Sequence, residues 1–172
     1  MESQQGWKGL LKDLHKESYL WSLNCCYHDR EMAKDVLQTV YLKVYEGKAV
    51  FSGKASLKTW LFSVIKHTSI DLLRRHGIKT EQLHENLEVY TEDENKLNEK
   101  DQRHWFRKVM GRLSTQQREV LTLSFYHGLP LAEIAALLGI STGTARTHYE
   151  RGKENFRKYL IDYKLDVEFL EK

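Results

Sequence analysis

The chain has 172 residues, of which 41% are hydrophobic and 30% charged, with a formal net charge of +3. That length suits one medium domain or two small ones, and the balance is that of a soluble globular protein. No apolar run approaches a membrane span and no signal peptide opens the chain. Cys25 and Cys26, the only cysteines, are neighbours and do not read as a structural staple, so a cytosolic setting is expected.

Charge is unevenly spread. Residues 1–78 carry 12 Lys/Arg and 8 Asp/Glu, a net of +4. Residues 79–102 carry 3 and 8, a net of −5, and residues 103–172 carry 12 and 8, again +4. Two basic modules on an acidic connector point to two nucleic-acid contacts with a tether between them. The expected fold is all-α: small helical domains over 1–78 and 103–172, joined by a flexible linker over 79–102.

In chain order, Trp7 to Cys26 forms an amphipathic helix through Leu10, Leu11, Leu14, Tyr19 and Leu23. With His28, the two cysteines hint at a metal, but further ligands at sensible spacing are missing; buried helix cysteines are the plainer reading. From Glu31 to Glu46 a second helix turns Ala33, Val36, Leu37, Val40, Tyr41 and Val44 inward. Its outer face holds Asp35, Gln38, Thr39, Leu42 and Lys43. Leu42 there is either an ordinary surface leucine or part of a protein-binding ridge.

Residues 51–56 form a loop, and a third helix from about Leu57 to Arg75 turns Leu61, Val64, Ile65, Thr68 and Leu72 inward. Lys54, Lys58, Lys66, His67, Arg74 and Arg75 lie in or beside it, together with Trp60 and Phe62. Basic groups interleaved with aromatics suit a single-stranded DNA groove, where cations track phosphates and rings receive unstacked bases. The alternative keeps the aromatics in the core and leaves the lysines as solubilising groups. Lys79 to Thr91 shows no strong periodicity. Helix potential resumes near Glu92, strengthens from Trp105 to Met110 and is interrupted at Gly111. Ser114 to Gln117 is a capping-box pattern that opens a helix running to about Tyr126.

Leu131 to Lys153 is the most informative stretch. Leu131, Ile134, Ala135 and Leu138 form a buried stripe, with Pro130 expected at the first helical position and Gly139 at the C-terminal cap. Ser141 or Thr142 caps the next helix. There Ala145, Tyr149, Gly152, Phe156 and Leu160 face inward, and Thr144, Thr147, His148, Arg151 and Asn155 outward. This is the layout of a helix-turn-helix, whose second helix enters the DNA major groove; the bland alternative is a solvated helix hairpin. From Ile161 a short amphipathic tail follows.

These residues resemble a known family. Asp35 to Val44 is similar to the "D-x-x-Q-x-x-F-x-K-V" helix of bacterial extracytoplasmic-function sigma factors, group 4 of the sigma-70 family. Phe51-Ser52-Gly53, Thr59-Trp60-Leu61 and Ile70 to Arg75 resemble that family's promoter-melting region. Leu113 to Leu121 resembles the start of its region 4. Glu133-Ile134-Ala135, Gly139-Ile140-Ser141 and Gly143-Thr144 match its helix-turn-helix. The resemblance spans roughly residues 10 to 160.

The resemblance implies a promoter-specificity subunit of RNA polymerase, without enzymatic activity or cofactor. Asp35, Gln38, Thr39, Leu42 and Lys43 would bind the clamp coiled coil of core RNA polymerase. Lys54, Ser56, Lys58, Trp60, Lys66, His67, Arg74 and Arg75 would hold the −10 element as a single strand. Thr142, Thr144, Arg146, Thr147, His148, Arg151 and Lys153 would read the −35 element as duplex, and their module would pack on the polymerase flap. The acidic linker would thread toward the active-site and RNA-exit channels, or serve as a plain solvated tether. An anti-sigma factor, commonly membrane-anchored in this family, would hold the protein inactive at the inner membrane face until envelope stress. The chain departs from the family pattern at His67, where many relatives have Asn, and at His148, Glu150 and Gly152. Outside the family, the alternatives are a stand-alone dimeric helix-turn-helix regulator and a nucleic-acid enzyme. The latter lacks any evident metal cluster, nucleophile–base pair or phosphate-cradling loop.

Overall fold

Three helices make the first unit in the computed structural model: α1 (Gln4–Cys25), α2 (Arg30–Tyr45) and α3 (Leu57–Arg75). The structure describes residues 4–77, 106 and 108–170. The chain divides into two compact units, Met1–Leu87 and Glu88–Lys172. The expected linker, 79–102, and the helix start near Trp105 lie outside the described residues. Among the described residues no strand occurs.

Each start in the first unit has a local cause. Asp29 caps α2 by accepting from the Met32 N–H at 2.9 Å, and Ser56 caps α3 by accepting from the Thr59 N–H at 3.2 Å. The α2 stripe is buried as its spacing predicts, through Ala33, Val36, Leu37, Val40 and Val44, with Met32 added. Tyr41 is only half-buried. In α3 the buried set is Thr59, Leu61, Phe62, Ile65, Thr68, Ser69 and Leu73, so Val64 and Leu72 sit at the edge of the core rather than inside it.

The α1 stripe departs most from expectation. Leu11 is buried, but the centre of the packing is Trp21, fully enclosed and flanked by Ser18, Ser22 and Cys25. Trp21 Nε1 donates to the Phe62 carbonyl at 3.1 Å, and the two rings stack at 5.8 Å. Ser22 Oγ donates to the Ala33 carbonyl at 3.0 Å. Serines on a buried face blunt the apolar periodicity, which hides the true stripe from a sequence reading. Full burial of side chains such as Trp21 and Phe62 stabilises by roughly 1.5–3 kcal/mol each. The α1–α2 corner reverses through a Schellman turn, His28 N–H to the Leu23 carbonyl at 2.8 Å. It places Tyr27 and His28 at φ 54° and 67°, strained for residues with a Cβ.

The second unit holds a helical segment over 108–111, α4 (Thr115–Leu121), a π-helical turn (Thr122–Tyr126), α5 (Leu131–Leu138) and α6 (Thr142–Leu170). Ser114 caps α4 through the Gln117 N–H. The π-turn interrupts what the sequence suggested was one continuous helix to Tyr126. Its wider coil swings Phe125 and Tyr126 into solvent, at 66% and 63% exposure. Pro130 is the cap of α5 rather than its first helical residue, and Gly139 ends that helix at φ 67°, as the turn requires. Ser141, not Thr142, caps α6 by accepting from the Thr144 N–H at 3.0 Å.

At 29 residues α6 is far longer than the helix-turn-helix alone; the expected tail continues it to Leu170. Phe106 meets Phe156 edge-on at 5.8 Å, and Arg112 lies 5.4 Å over the Tyr159 ring, holding the segment before α4 against α6. At Gly152 an added Cβ would stand 3.1 Å from Leu121 Cδ1 and 3.3 Å from Gln117 Cβ. The glycine is therefore the close approach of α6 to α4.

Candidate nucleic-acid interface

In α6 the buried positions Ala145 and Gly152 define the inner side. Thr144, Arg146, Thr147, Glu150 and Arg151 are exposed on the other. Thr142 is exposed at the helix start. Thr144 Oγ1 pairs with Ser141 Oγ at 2.8 Å, and Thr147 Oγ1 donates back to the Gly143 carbonyl at 3.0 Å. His148 is half-buried at the margin of this face. One selected residue, Lys153, lies at the margin of this face, and one expectation, the outward Asn155, needs correction. Lys153 lies 4.4 Å over the Tyr149 ring and pairs with Glu150 at 3.0 Å, so it belongs to the edge of the face. Asn155 does not face outward, because its Nδ2 donates to Gln117 Oε1 at 3.2 Å.

The basic and aromatic set of the first unit is also divided by the fold. Trp60, His67 and Arg74 recur at helical spacing along the exposed side of α3, which is one stripe of ring, imidazole and guanidinium. Trp60 is half-buried because Trp7 and Phe51 prop it, at 5.6 and 5.4 Å between ring centroids. His67 Nδ1 meets the Ser63 carbonyl at 2.7 Å, leaving the ring fixed and exposed. Arg74 and Arg75 occupy the last turn of α3, where the helix dipole favours cations. Lys54 is exposed in the preceding loop.

Three residues stand off that stripe. Lys58 forms an ion pair with Glu17 of α1 and lies 5.8 Å over the Phe62 ring. Lys66 is half-buried, and its backbone carbonyl accepts from Ser69 Oγ at 2.8 Å. Ser56 spends its hydroxyl on the α3 cap, donating to Thr59 Oγ1 at 2.8 Å.

On α2, Asp35, Gln38 and Leu42 are exposed, with Leu42 at 52%, a large fraction for a leucine. Thr39 is half-buried, and Lys43 reaches back to donate to Thr68 Oγ1 at 3.0 Å. Gln38 and Leu42 border a groove of about 620 Å³ between α1 and α2, which Tyr19, Tyr41 and Tyr45 also line. His15 Nδ1 and the Tyr41 hydroxyl are bonded across it at 3.0 Å. Sequence spacing assigned Tyr41 to the core and did not single out Tyr45; an aromatic at the rim of a stripe is the signal that marks both.

The second unit carries an apolar cavity of about 500 Å³ lined by Phe106, Met110, Leu121, Phe125, Phe156 and Leu160, with Lys153 and Arg157 at its margin. Its walls include the residues exposed by the π-turn, which no periodicity forecasts. Among the described residues no group of three or more His, Cys, Asp or Glu could hold a metal, and no helix is long and apolar enough to cross a membrane.

One unit thus carries a helix-turn-helix with an exposed polar and basic face, and the other carries an exposed stripe of ring, imidazole and guanidinium. Residues 4–78 match the model of sigma-70 region 2, and residues 103–156 match sigma-70 region 4. The chain is 30% identical over 158 residues to the RNA polymerase sigma factor YlaC of Bacillus subtilis, covering 86% of this chain and 90% of that one. It is 26% identical to the extracytoplasmic-function sigma factor SigX of the same organism, over 88% and 82% of the two chains. In fold it is similar to RpoE of Bartonella quintana, solved with the anti-sigma factor NepR (TM-score 0.66, 21% identity, 89% and 95% covered). It is likewise similar to CnrH, solved with the cytosolic domain of CnrY (TM-score 0.67, 17% identity, 94% and 91% covered). The chain belongs to the sigma-70 family, in its extracytoplasmic-function group, and directs RNA polymerase to promoters.

Proposed function

We propose that this sigma factor grips core polymerase and promoter through separate faces of its two units. The groove edge with Asp35, Gln38, Thr39 and Leu42, joined by Tyr41 and Tyr45, docks on the clamp coiled coil. The stripe of Trp60, His67 and Arg74, with Lys54 and Arg75 beside it, captures the unpaired −10 strand. Extruding a base costs a few kcal/mol. A cationic, aromatic surface that binds only the opened strand offsets that cost without ATP.

In the second unit, the exposed face of α6 enters the major groove of the −35 duplex, with Arg146, Thr147, His148 and Arg151 near base edges and phosphates. Thr142 and Thr144 sit at the helix start, where N–H groups and hydroxyls meet phosphate. The cavity beside Phe125 and Phe156 takes an apolar segment of the polymerase flap. Control by an anti-sigma factor fits RpoE, a protein of similar fold solved with the anti-sigma factor NepR. A cytoplasmic protein held at the membrane by an anchored anti-sigma factor, and released by envelope stress, completes the reading.

The observation that carries the polymerase contact is the half-exposed Leu42 beside a tyrosine-lined groove. A stand-alone operator-binding regulator has no use for it. The test mixes the full chain with core polymerase and a promoter library. New start sites are expected, and the double substitution Gln38→Ala with Leu42→Ala should weaken core binding at least tenfold while duplex binding by the full chain persists. Unchanged core affinity in that variant would sink the assignment.

A further inference from the structure

We propose that Glu150 reads a cytosine in the duplex bound by α6, and that Lys153 is the positioning residue that presents its carboxylate. The inference rests on the reading of α6 as the −35 element. Glu150 is exposed, with 61% of its side chain open to solvent. It lies four residues after Arg146 and three after Thr147, so the three are neighbours on one surface of the helix. On a surface that meets phosphates, a carboxylate is a liability unless it meets a donor. The major groove presents such donors at base edges. Guanine offers N7 and O6 and thymine O4, all acceptors that repel a carboxylate, and adenine sets its N6 amino donor beside the N7 acceptor, a pair that suits an amide better than a carboxylate. Cytosine offers the N4 amino group, the partner suited to glutamate.

Lys153 turns this exposed acid into an oriented one. Its Nζ holds Glu150 Oε2 at 3.0 Å, leaving Oε1 to accept from a base. The lysine is itself fixed: its side chain is 27% exposed and its ammonium sits 4.4 Å over the Tyr149 ring. Tyr149 stacks on Phe125 at 5.6 Å and 18° between planes. An exposed lysine–glutamate pair contributes little stability. Its contribution here is direction, transmitted from the π-turn through Phe125, Tyr149 and Lys153.

The test uses the full chain with core polymerase and promoters randomised across the −35 duplex, with base enrichment read position by position. The native chain should enrich cytosine at one position. Glu150→Ala should lose about tenfold of that enrichment, on the scale of one side chain–base pair. Affinity for the random pool should hold or rise, because a negative charge has left the phosphates. Glu150→Gln should move the preference to adenine, whose N6 and N7 suit an amide. Lys153→Met should blunt the same position several-fold, and Lys153→Arg should restore it. An unchanged base profile in Glu150→Ala, or an equal loss at every position, overturns the inference and leaves the −35 reading standing. If the native chain enriches no duplex position at all, the −35 reading fails as well.

Discussion

Gly152 is the residue where sequence and structure agree most usefully. A glycine inside a helix costs about 1 kcal/mol against alanine. Here it offsets that cost by letting α6 lie against Leu121 and Gln117. Gly152→Val should therefore destabilise the protein by roughly 1–3 kcal/mol through overpacking, measured as a lower urea midpoint. Cys26 makes a second residue-scale prediction. Burial, the largest cause, and then Asp29 raise its thiol from 9.0 to about 12, while Ser22 and Lys66 oppose the shift. A folded-state pKa above the unfolded one means the stabilisation is complete below about pH 9 and is lost as pH rises toward 12. Unfolding midpoints followed by tryptophan fluorescence should fall over that window, and Cys26→Ala should flatten the fall. An equal slope in the variant would assign the loss to other groups, such as Tyr41, whose hydroxyl burial also raises.

At the scale of elements, the start at Ser114 and the stop at Gly139 were legible because capping is local chemistry, whereas the caps Asp29 and Ser56 came to light only in the structure. Asp29, Ser56, Ser114 and Gly139 each act within a few residues of themselves. The π-turn was not legible, since Thr122 to Tyr126 has no composition that separates it from ordinary helix. The two roles available to Ser56 can be separated by substitution. Ser56→Ala should cost about 1 kcal/mol of stability through the lost cap. Ser56→Asp should keep the cap and the melting temperature, but weaken single-strand binding by adding a negative charge beside Lys54. If Ser56→Asp binds the −10 strand as tightly as the native chain, the α3 start lies away from that strand.

For the whole molecule, two basic units imply two phosphate contacts and a steep dependence on salt. Duplex binding should fall with a log–log slope of about −0.9 for each phosphate engaged. Arg146→Ala should reduce the magnitude of that slope by about one if the guanidinium meets a phosphate. Core affinity should be unaffected; a parallel loss of core binding would mean that the unit had unfolded.

The order of helices, the caps at Ser114 and Gly139, the division of charge and the family were written in local patterns along the chain. Spacing and composition are properties of neighbours in sequence, and family motifs are read in the same order. Which of the selected cations face outward was not. Lys58 and Lys153 carry the same charge as Lys54, yet Glu17 and Tyr149 turn them to structural partners. Trp21 became the centre of the first core, and Tyr41 and Tyr45 came to line a groove, only when α1, α2 and α3 met. Those outcomes depend on side chains brought together from distant parts of the chain, whose mutual burial no local spacing encodes.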